Sequence, residues 1–405
     1  MFGNTTNTSL SDETFTILNL NNQKFLENIG GIIFISILMI VGIPGNVIVI
    51  YVYLRKYQPT THRTFIVCLA MVDLASCCVS MPFFIAVLRY TVSFPSKEVC
   101  KIFHFLTYCL RLGSAFILLT IAAERYRKIC IPHGKQLSEK MAVYICVLDL
   151  LTAGLLSWPG AVLYGNKIYK VGTGDIKGSE CTVSDDFAGT KYPAYFNFVL
   201  LFIFIATVIP IFVMYSLIGK QIWKMKKRSY RKSQPDVSII DTNKTLMTKR
   251  TCSKSTNNAE ATQSSEDIGI KLENRSISIL SSKCKGGTEI MEVDIKQKYN
   301  IMNKNGDKEK KKNKERLKTI AFTRIFFIIT VVLFCSFLPN WALRLADFLN
   351  KDFLQKLSFP EIVAYQTFRW SFFINSMANP IIYGFCDRKF RQEIRKMFGL
   401  SQKYP

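Results

Sequence analysis

The sequence predicts an all-α membrane protein, a bundle of seven transmembrane helices followed by a short amphipathic C-terminal helix. Three observations carry that reading. Apolar residues, 49% of the 405, gather into long runs with the charges between them. Seven runs reach about 20 residues or more, enough to cross the hydrocarbon core as a helix. Lys and Arg flank the runs, as at Arg55-Lys56, Arg125-Tyr126-Arg127-Lys128 and Arg388-Lys389. The formal charge of +24 therefore reflects membrane topology and not a nucleic-acid surface. So much apolar sequence also excludes a wholly disordered chain.

Residues 1–28 are polar, and Asn4 and Asn7 open glycosylation sequons, which suits an extracellular tail. Spans are expected near 29–54, 64–89, 98–130, 141–164, 194–222, 318–349 and 361–384. Helices are the default because lipid cannot solvate unpaired backbone groups. The loop at 55–63 carries Arg55, Lys56 and Arg63 without an acid, whereas the opposite side mixes Lys177 with Glu180, Asp185 and Asp186. The basic loops belong inside, which places the N-terminus outside the plasma membrane. This gives an outer tail, spans one to five within 29–222, a cytoplasmic insert at 223–317, spans six and seven within 318–385, and an inner tail at 386–405. The insert is rich in Lys, Ser, Asn and Thr and reads as disordered for most of its length. In the tail, Phe390, Ile394, Met397 and Phe398 form one apolar face, fit to lie on membrane lipid.

Polar residues inside the spans carry the functional signal. Asn46 lies in span one, Asp73 in span two, and Asn379-Pro380-Ile381-Ile382-Tyr383 ends span seven. A carboxylate at membrane depth is costly and usually functional, although an Asn there also serves as helix–helix glue. Glu124-Arg125-Tyr126 closes span three, and Pro132 follows the Arg by seven residues. With Cys100 and Pro339 in their places, this set resembles the rhodopsin-like (class A) G protein-coupled receptors. The resemblance covers every span and leaves out the N-terminal tail and the insert.

That resemblance implies roles. Cys100 and Cys181 would form a disulfide tying the second extracellular loop to span three. Arg125 would be held at rest by Glu124 and engage a heterotrimeric G protein when active, with Tyr126, Tyr215, Pro339, Asn379, Pro380 and Tyr383 in the activation path. Asp73, Ser114, Asn375 and Asn379 would line an allosteric Na+ cluster; no other cofactor is expected. Arrestin would be a further partner, and Ser264-Ser265 in the insert a phosphorylation site. Several positions depart from the family. Asp149 stands in mid span four where Trp is usual, Phe337 replaces the usual Trp before Pro339, and Pro210 lies five residues before Tyr215 instead of eight.

Thr107 occupies the place where amine receptors carry Asp, and span seven has no Lys for retinal. The outer halves of the spans instead carry Arg111, Arg344 and Arg369, with Tyr108 and Trp370 nearby. Arg111 is too deep to snorkel, so an anion is expected to satisfy it, either Asp149 or a ligand. Arg344 could pair with Asp347, and Arg369 could snorkel to the surface. A cationic pocket suits an acidic ligand, bounded by these residues and Phe337. The end of span five, Met214 to Trp223, is similar to ghrelin, neuromedin U and cholecystokinin-type peptide receptors, so an extracellular neuropeptide is the favoured ligand. The alternatives are a small anion such as a nucleotide or organic acid and, from another class, a seven-span transporter or channel. No repeat symmetry or filter motif supports the latter. No nucleophile–base pattern suggests an enzyme.

Overall fold

The computed structural model describes residues 5–132, 134, 136–170, 176–233, 288–350 and 352–399. Asn4 lies outside them, as do Asn7's side chain and Ser264-Ser265. Two compact units emerge: residues 1–222 with 320–405, and residues 223–319. The first holds the membrane spans.

Span one belongs to the helix Thr5–Lys56, which begins well before the expected residue 29. Its outer turns are pinned by side chains: Asn28 Nδ2 donates to Leu88 O at 3.0 Å, and Asn21 Oδ1 accepts from Val92 N at 2.9 Å. Span two runs Thr61–Ala75, widens into a π turn at Ser76–Ser80 and resumes at Met81–Arg89. Pro82 explains the widening, because its ring lacks an N–H and crowds the carbonyl a turn earlier. Spans three and four are Lys97–Cys130 and Glu139–Leu163, capped by Ser96 and Ser138. They approach closely: a Cβ on Gly160 would meet the Tyr108 ring at 2.7 Å. Spans five and six belong to the helices Tyr192–Ser233 and Thr288–Leu349. The insert expected to be mostly disordered is therefore helical at 223–233 and 288–317, and residues 234–287 lie outside the described ones.

Among the described residues, six helices are long and apolar enough to cross a membrane. The seventh span is in pieces: Phe359–Phe368, a 3-10 turn at Ser371–Phe373, and Ile374–Cys386. No proline causes the break; span six sutures it. Asn340 Nδ2 donates to the carbonyl of Arg369 at 2.5 Å, and Ser371 Oγ donates to the carbonyl of Ser336 at 2.7 Å. A turn at Asp387 starts the amphipathic helix Arg388–Met397; Asp387 Oδ1 accepts from Lys389 N and Phe390 N, and Oδ2 from the hydroxyls of Tyr53 and Tyr57.

The outward faces of the spans are apolar, with Leu155 74% and Phe202 71% exposed, as lipid contact requires. Among the described residues, one hairpin is not helical. Strands β1 (Tyr164–Lys170) and β2 (Lys177–Val183) form an antiparallel hairpin with Asn166 opposite Cys181. Ser179 joins its edge to the loop at Val92–Phe94.

Candidate functional site

Polar residues on the inward faces of the spans assemble into three connected levels. At the outer level, Cys100 and Cys181 are disulfide-bonded with their Cα atoms 5.7 Å apart. The bond holds the hairpin over a cavity of about 240 Å³. Thr107, Tyr108, Arg111, Arg344, Arg369 and Trp370 all line it, so the structure gathers the residues that sequence reasoning named. A smaller recess of about 40 Å³ below shares Tyr108, Arg111, Asn197, Asn340 and Arg344, and adds Phe337 and Phe204.

Two of the cations in this cavity, Arg344 and Arg111, have neutral neighbours. Arg344 Nη1 donates to Asn197 Oδ1 at 3.1 Å, and its Nε donates to Asn340 Oδ1 at 3.3 Å. Asp347, its expected partner, instead accepts from the Tyr365 hydroxyl. Arg111 does not reach Asp149 either. That carboxylate accepts from Thr120 Oγ1 at 2.9 Å, while the Arg111 guanidinium lies 3.8 Å from the Phe372 ring centroid and 5.1 Å from that of Phe337. Among the described residues neither arginine has an acid partner. Arg369 lies 5.5 Å from the Trp370 ring centroid. Thr107 Oγ1 donates to Ser80 Oγ at 3.0 Å, and the Tyr108 hydroxyl donates to that of Tyr164 at 2.8 Å.

At the middle level, Asn379 Nδ2 donates to Asp73 Oδ2 at 2.6 Å and Asn375 Nδ2 to Ser114 Oγ at 3.1 Å. Three oxygens here are buried without a hydrogen-bond partner: Asp73 Oδ1, Asn375 Oδ1 and Asn379 Oδ1. A cleft of about 10 Å³ runs beside Asp73, Ser114 and Asn375, and Arg111 and Phe337 close its outer end. Asn46 Nδ2 ties span one to the carbonyl of Ser376 at 2.8 Å.

At the inner level, Arg125 is fully buried, its Nε 2.8 Å from Glu124 Oε2. Lys128 shares that carboxylate at 2.5 Å. Phe326 lies 5.4 Å from the guanidinium. Tyr215 is buried 5.4 Å from the Phe327 ring, so the shifted Pro210 still leaves it facing the bundle. Tyr383 is buried edge-on to Tyr53 at 5.8 Å. Pro380 packs where a Cβ on Gly45 would sit, and Pro339 lies inside the sixth helix. Tyr126 is half-buried and shares no hydrogen bond or ring contact with this group among the described residues.

The family model for the 7 transmembrane receptor (rhodopsin family) matches residues 45–383, which take in all three levels. The chain belongs to that family. The receptor is 33% identical over 134 residues to the C3a anaphylatoxin chemotactic receptor of Oncorhynchus mykiss, covering 32% of this chain and 36% of that receptor. It is 26% identical over 216 residues to the C5a anaphylatoxin chemotactic receptor 1 of the same species (49% and 60%), and 25% identical over 197 residues to the neuropeptide S receptor of Macaca mulatta (48% and 50%). These matches span between about a third and three fifths of the relatives' length. The crystal structure of squid rhodopsin superposes with a TM-score of 0.59 at 17% identity over 93% of this chain and 86% of that one, which shows the fold. The receptor is an integral membrane protein and not an enzyme.

Sequence reasoning missed several residues of the cavity. Asn197 and Asn340 hold Arg344, His104 stacks on Tyr164 at 4.1 Å, and Glu180 brings an acid to the wall beside Arg369. Burial pushes the Glu180 carboxyl above its usual range, against the pull of Arg369, Lys167 and Lys24. Glu180 sits next to Cys181, which is the one signal that could have found it.

Proposed function

We propose that this receptor binds an extracellular peptide bearing an acidic group and passes the signal to heterotrimeric G proteins at the inner face of the plasma membrane, with its N-terminus outside. The observation that carries this reading is Arg344, a cavity guanidinium held in place by two neutral amides and matched by no acid among the described residues. Amides orient the fork without neutralising it, so the site is arranged in advance for a carboxylate. Arg111 and Arg369 add charge from spans three and seven. The matched relatives include receptors named for C3a, C5a and neuropeptide S, which favours a peptide over a small anion.

A ligand carboxylate on Arg344 and Arg369 favours whichever arrangement of spans six and seven it binds better, and the population shifts accordingly. Phe337 stands between the two outer levels, because it borders both the recess and the Asp73 cleft. Its movement with span six would alter the packing around Arg111. At the inner end, separation of Arg125 from Glu124 frees the guanidinium for the G protein.

The Asp73 cluster fits Na+. One carboxylate oxygen and two amide oxygens, buried and without hydrogen-bond partners, are the donor set a small hard cation takes. When bound, the ion would supply positive charge that offsets the Asp73 carboxylate, and Asp73, Asn375 and Asn379 would hold it. Arrestin is a further proposed partner, by way of phosphorylated serines in the insert, and the Arg388–Met397 helix is proposed to rest on lipid.

The reading is tested by screening acidic peptides and their amidated forms on transfected cells, with calcium and cyclic AMP as readouts. An acidic peptide should activate the wild type and fail on Arg344→Ala. Activation by nucleotides or organic acids alone would establish the small-anion reading in its place.

A further inference from the structure

Spans five and six leave an apolar crevice between their outer halves. It measures about 560 Å³, within the ~300–1,000 Å³ range of ligand sites. Phe198 and Leu201 line one wall, and Leu338, Ala342, Leu345 and Phe348 the other. Phe198, Leu338, Leu345 and Phe348 are all exposed, on the face that lipid covers. The crevice is not wholly apolar, and its polar groups have an order. Arg344 borders it, and Asp347 follows nearly one helical turn closer to the outer surface. Arg344 has no acid partner among the described residues. Asp347 accepts from Tyr365 through Oδ2 and keeps Oδ1 buried and unpartnered. The rings of Phe198 and Phe348 meet edge to face at 5.3 Å beside it.

We propose that this crevice holds a zwitterionic phospholipid of the outer leaflet, of the phosphocholine class. An acyl chain lies along Leu201, Leu338 and Leu345. The phosphate meets Arg344, and the quaternary ammonium faces Asp347 and the two phenyl rings. The headgroup carries its phosphate next to the chains and its cation outermost, which is the order of Arg344 and Asp347 along span six. Carboxylate and aromatic faces together are the chemistry that recognises a quaternary ammonium. A headgroup with negative charge alone would satisfy Arg344 and leave the Asp347 carboxylate without a cation. Asn197 and Arg344 border both this crevice and the ligand cavity, so their 3.1 Å hydrogen bond forms the partition. A lipid phosphate and an acidic ligand therefore draw on one guanidinium from opposite sides.

The test places the full-length receptor in nanodiscs of equal parts phosphatidylcholine and phosphatidylglycerol. A trace of either lipid carries a photoreactive acyl chain. Labelling by the phosphatidylcholine probe should map to residues 193–201 and 338–348. Ala342→Trp, which fills the crevice, should lower it by about tenfold, equivalent to about 1.4 kcal/mol. Where that variant does not reach the membrane, Leu345→Trp serves the same purpose. The phosphatidylglycerol probe should label several-fold less, and Asp347→Asn should remove the difference. Equal labelling of the wild type by the two probes overturns the proposal, as does labelling indifferent to both Trp variants, which marks ordinary boundary lipid. Displacement by water-soluble glycerophosphocholine at the lipid's own concentration also overturns it, since the site would then be reached from water.

Discussion

Replacing Arg344 by Ala separates a ligand contact from a structural one. In the free receptor the guanidinium donates to two amide oxygens, at 3.1 and 3.3 Å, and lies against the Tyr164 hydroxyl. Bonds of that length to neutral acceptors lie at the weak end of the ~1.5–3 kcal/mol range for charged groups. The cavity is large enough for water to replace them, so folding and surface expression should change little. A ligand carboxylate has no such substitute. Truncating one side of a buried charge pair costs about 2–5 kcal/mol. At about 1.4 kcal/mol per decade this is roughly 30-fold to a few thousand-fold in potency. Arg344→Lys should recover part of the loss, because an ammonium carries the charge without the bidentate fork. The assay is a double-mutant cycle: acidic and amidated ligand on wild type and Arg344→Ala, read as calcium release with surface expression measured in parallel. Strong coupling is expected, the amidated ligand losing little more on the variant. Additive losses would show that Arg344 never meets the acid and would refute the reasoning.

Cys100→Ala or Cys181→Ala should abolish ligand binding at the surface, since loss of a native disulfide costs about 2–5 kcal/mol and this one fixes the hairpin over the cavity; normal saturation binding by either variant refutes this. Burial raises the Glu180 carboxyl, so it takes up its proton at a higher pH than an exposed glutamate does, and lowering the pH should strengthen binding of an acidic ligand as that negative charge is lost. His104, Arg369, Lys167 and Lys24 also surround that ligand site or that carboxyl, so Glu180→Gln is the control and should flatten the profile. Arg111→Ala should lower thermal stability in detergent by the loss of its contacts with Phe372 and Phe337, about 0.5–2 kcal/mol, and Asp149→Asn should leave that loss unchanged in a cycle. Added NaCl, against an equal concentration of choline chloride, should weaken agonist binding to the wild type and not to Asp73→Asn; equal responses would remove the cation from the Asp73 cluster.

The fold was legible wherever lipid dictates it. Apolar length and flanking Lys and Arg place the spans, and Asp73, Asn379, Glu124 and Arg125 announce themselves because polar groups at membrane depth need partners nearby. What stayed hidden depends on tertiary contact. The hairpin at Tyr164–Val183 has mixed polar and apolar residues and no strong alternation; the disulfide and Ser179's bonds to the Val92–Phe94 loop order it. The break after Phe368 carries no Pro or Gly, and its freed carbonyl is met by Asn340, a residue of another helix. Arg111 and Asp149 looked like natural partners from charge alone. They lie instead on separate surfaces, one over Phe372 and the other against Thr120, which spacing along single helices cannot reveal. Lys128 sits one turn from Glu124, so its share in that carboxylate was open to the (i, i+4) rule and was overlooked.

The amide of Asn340 has two ends in use. Its oxygen accepts a hydrogen bond from Arg344 and its nitrogen donates one to the main-chain carbonyl of Arg369. Side chain, amide and backbone thus form a three-link tether from a cavity-lining guanidinium to the discontinuity in the seventh helix. A pull on the first link does not need to displace the whole of span six to be felt there. It needs only to turn one amide, and the carbonyl at the break then loses its donor. Span seven is interrupted at that point, so the tether ends at the junction with the inner half of the helix, which carries Asn375, Asn379 and Tyr383.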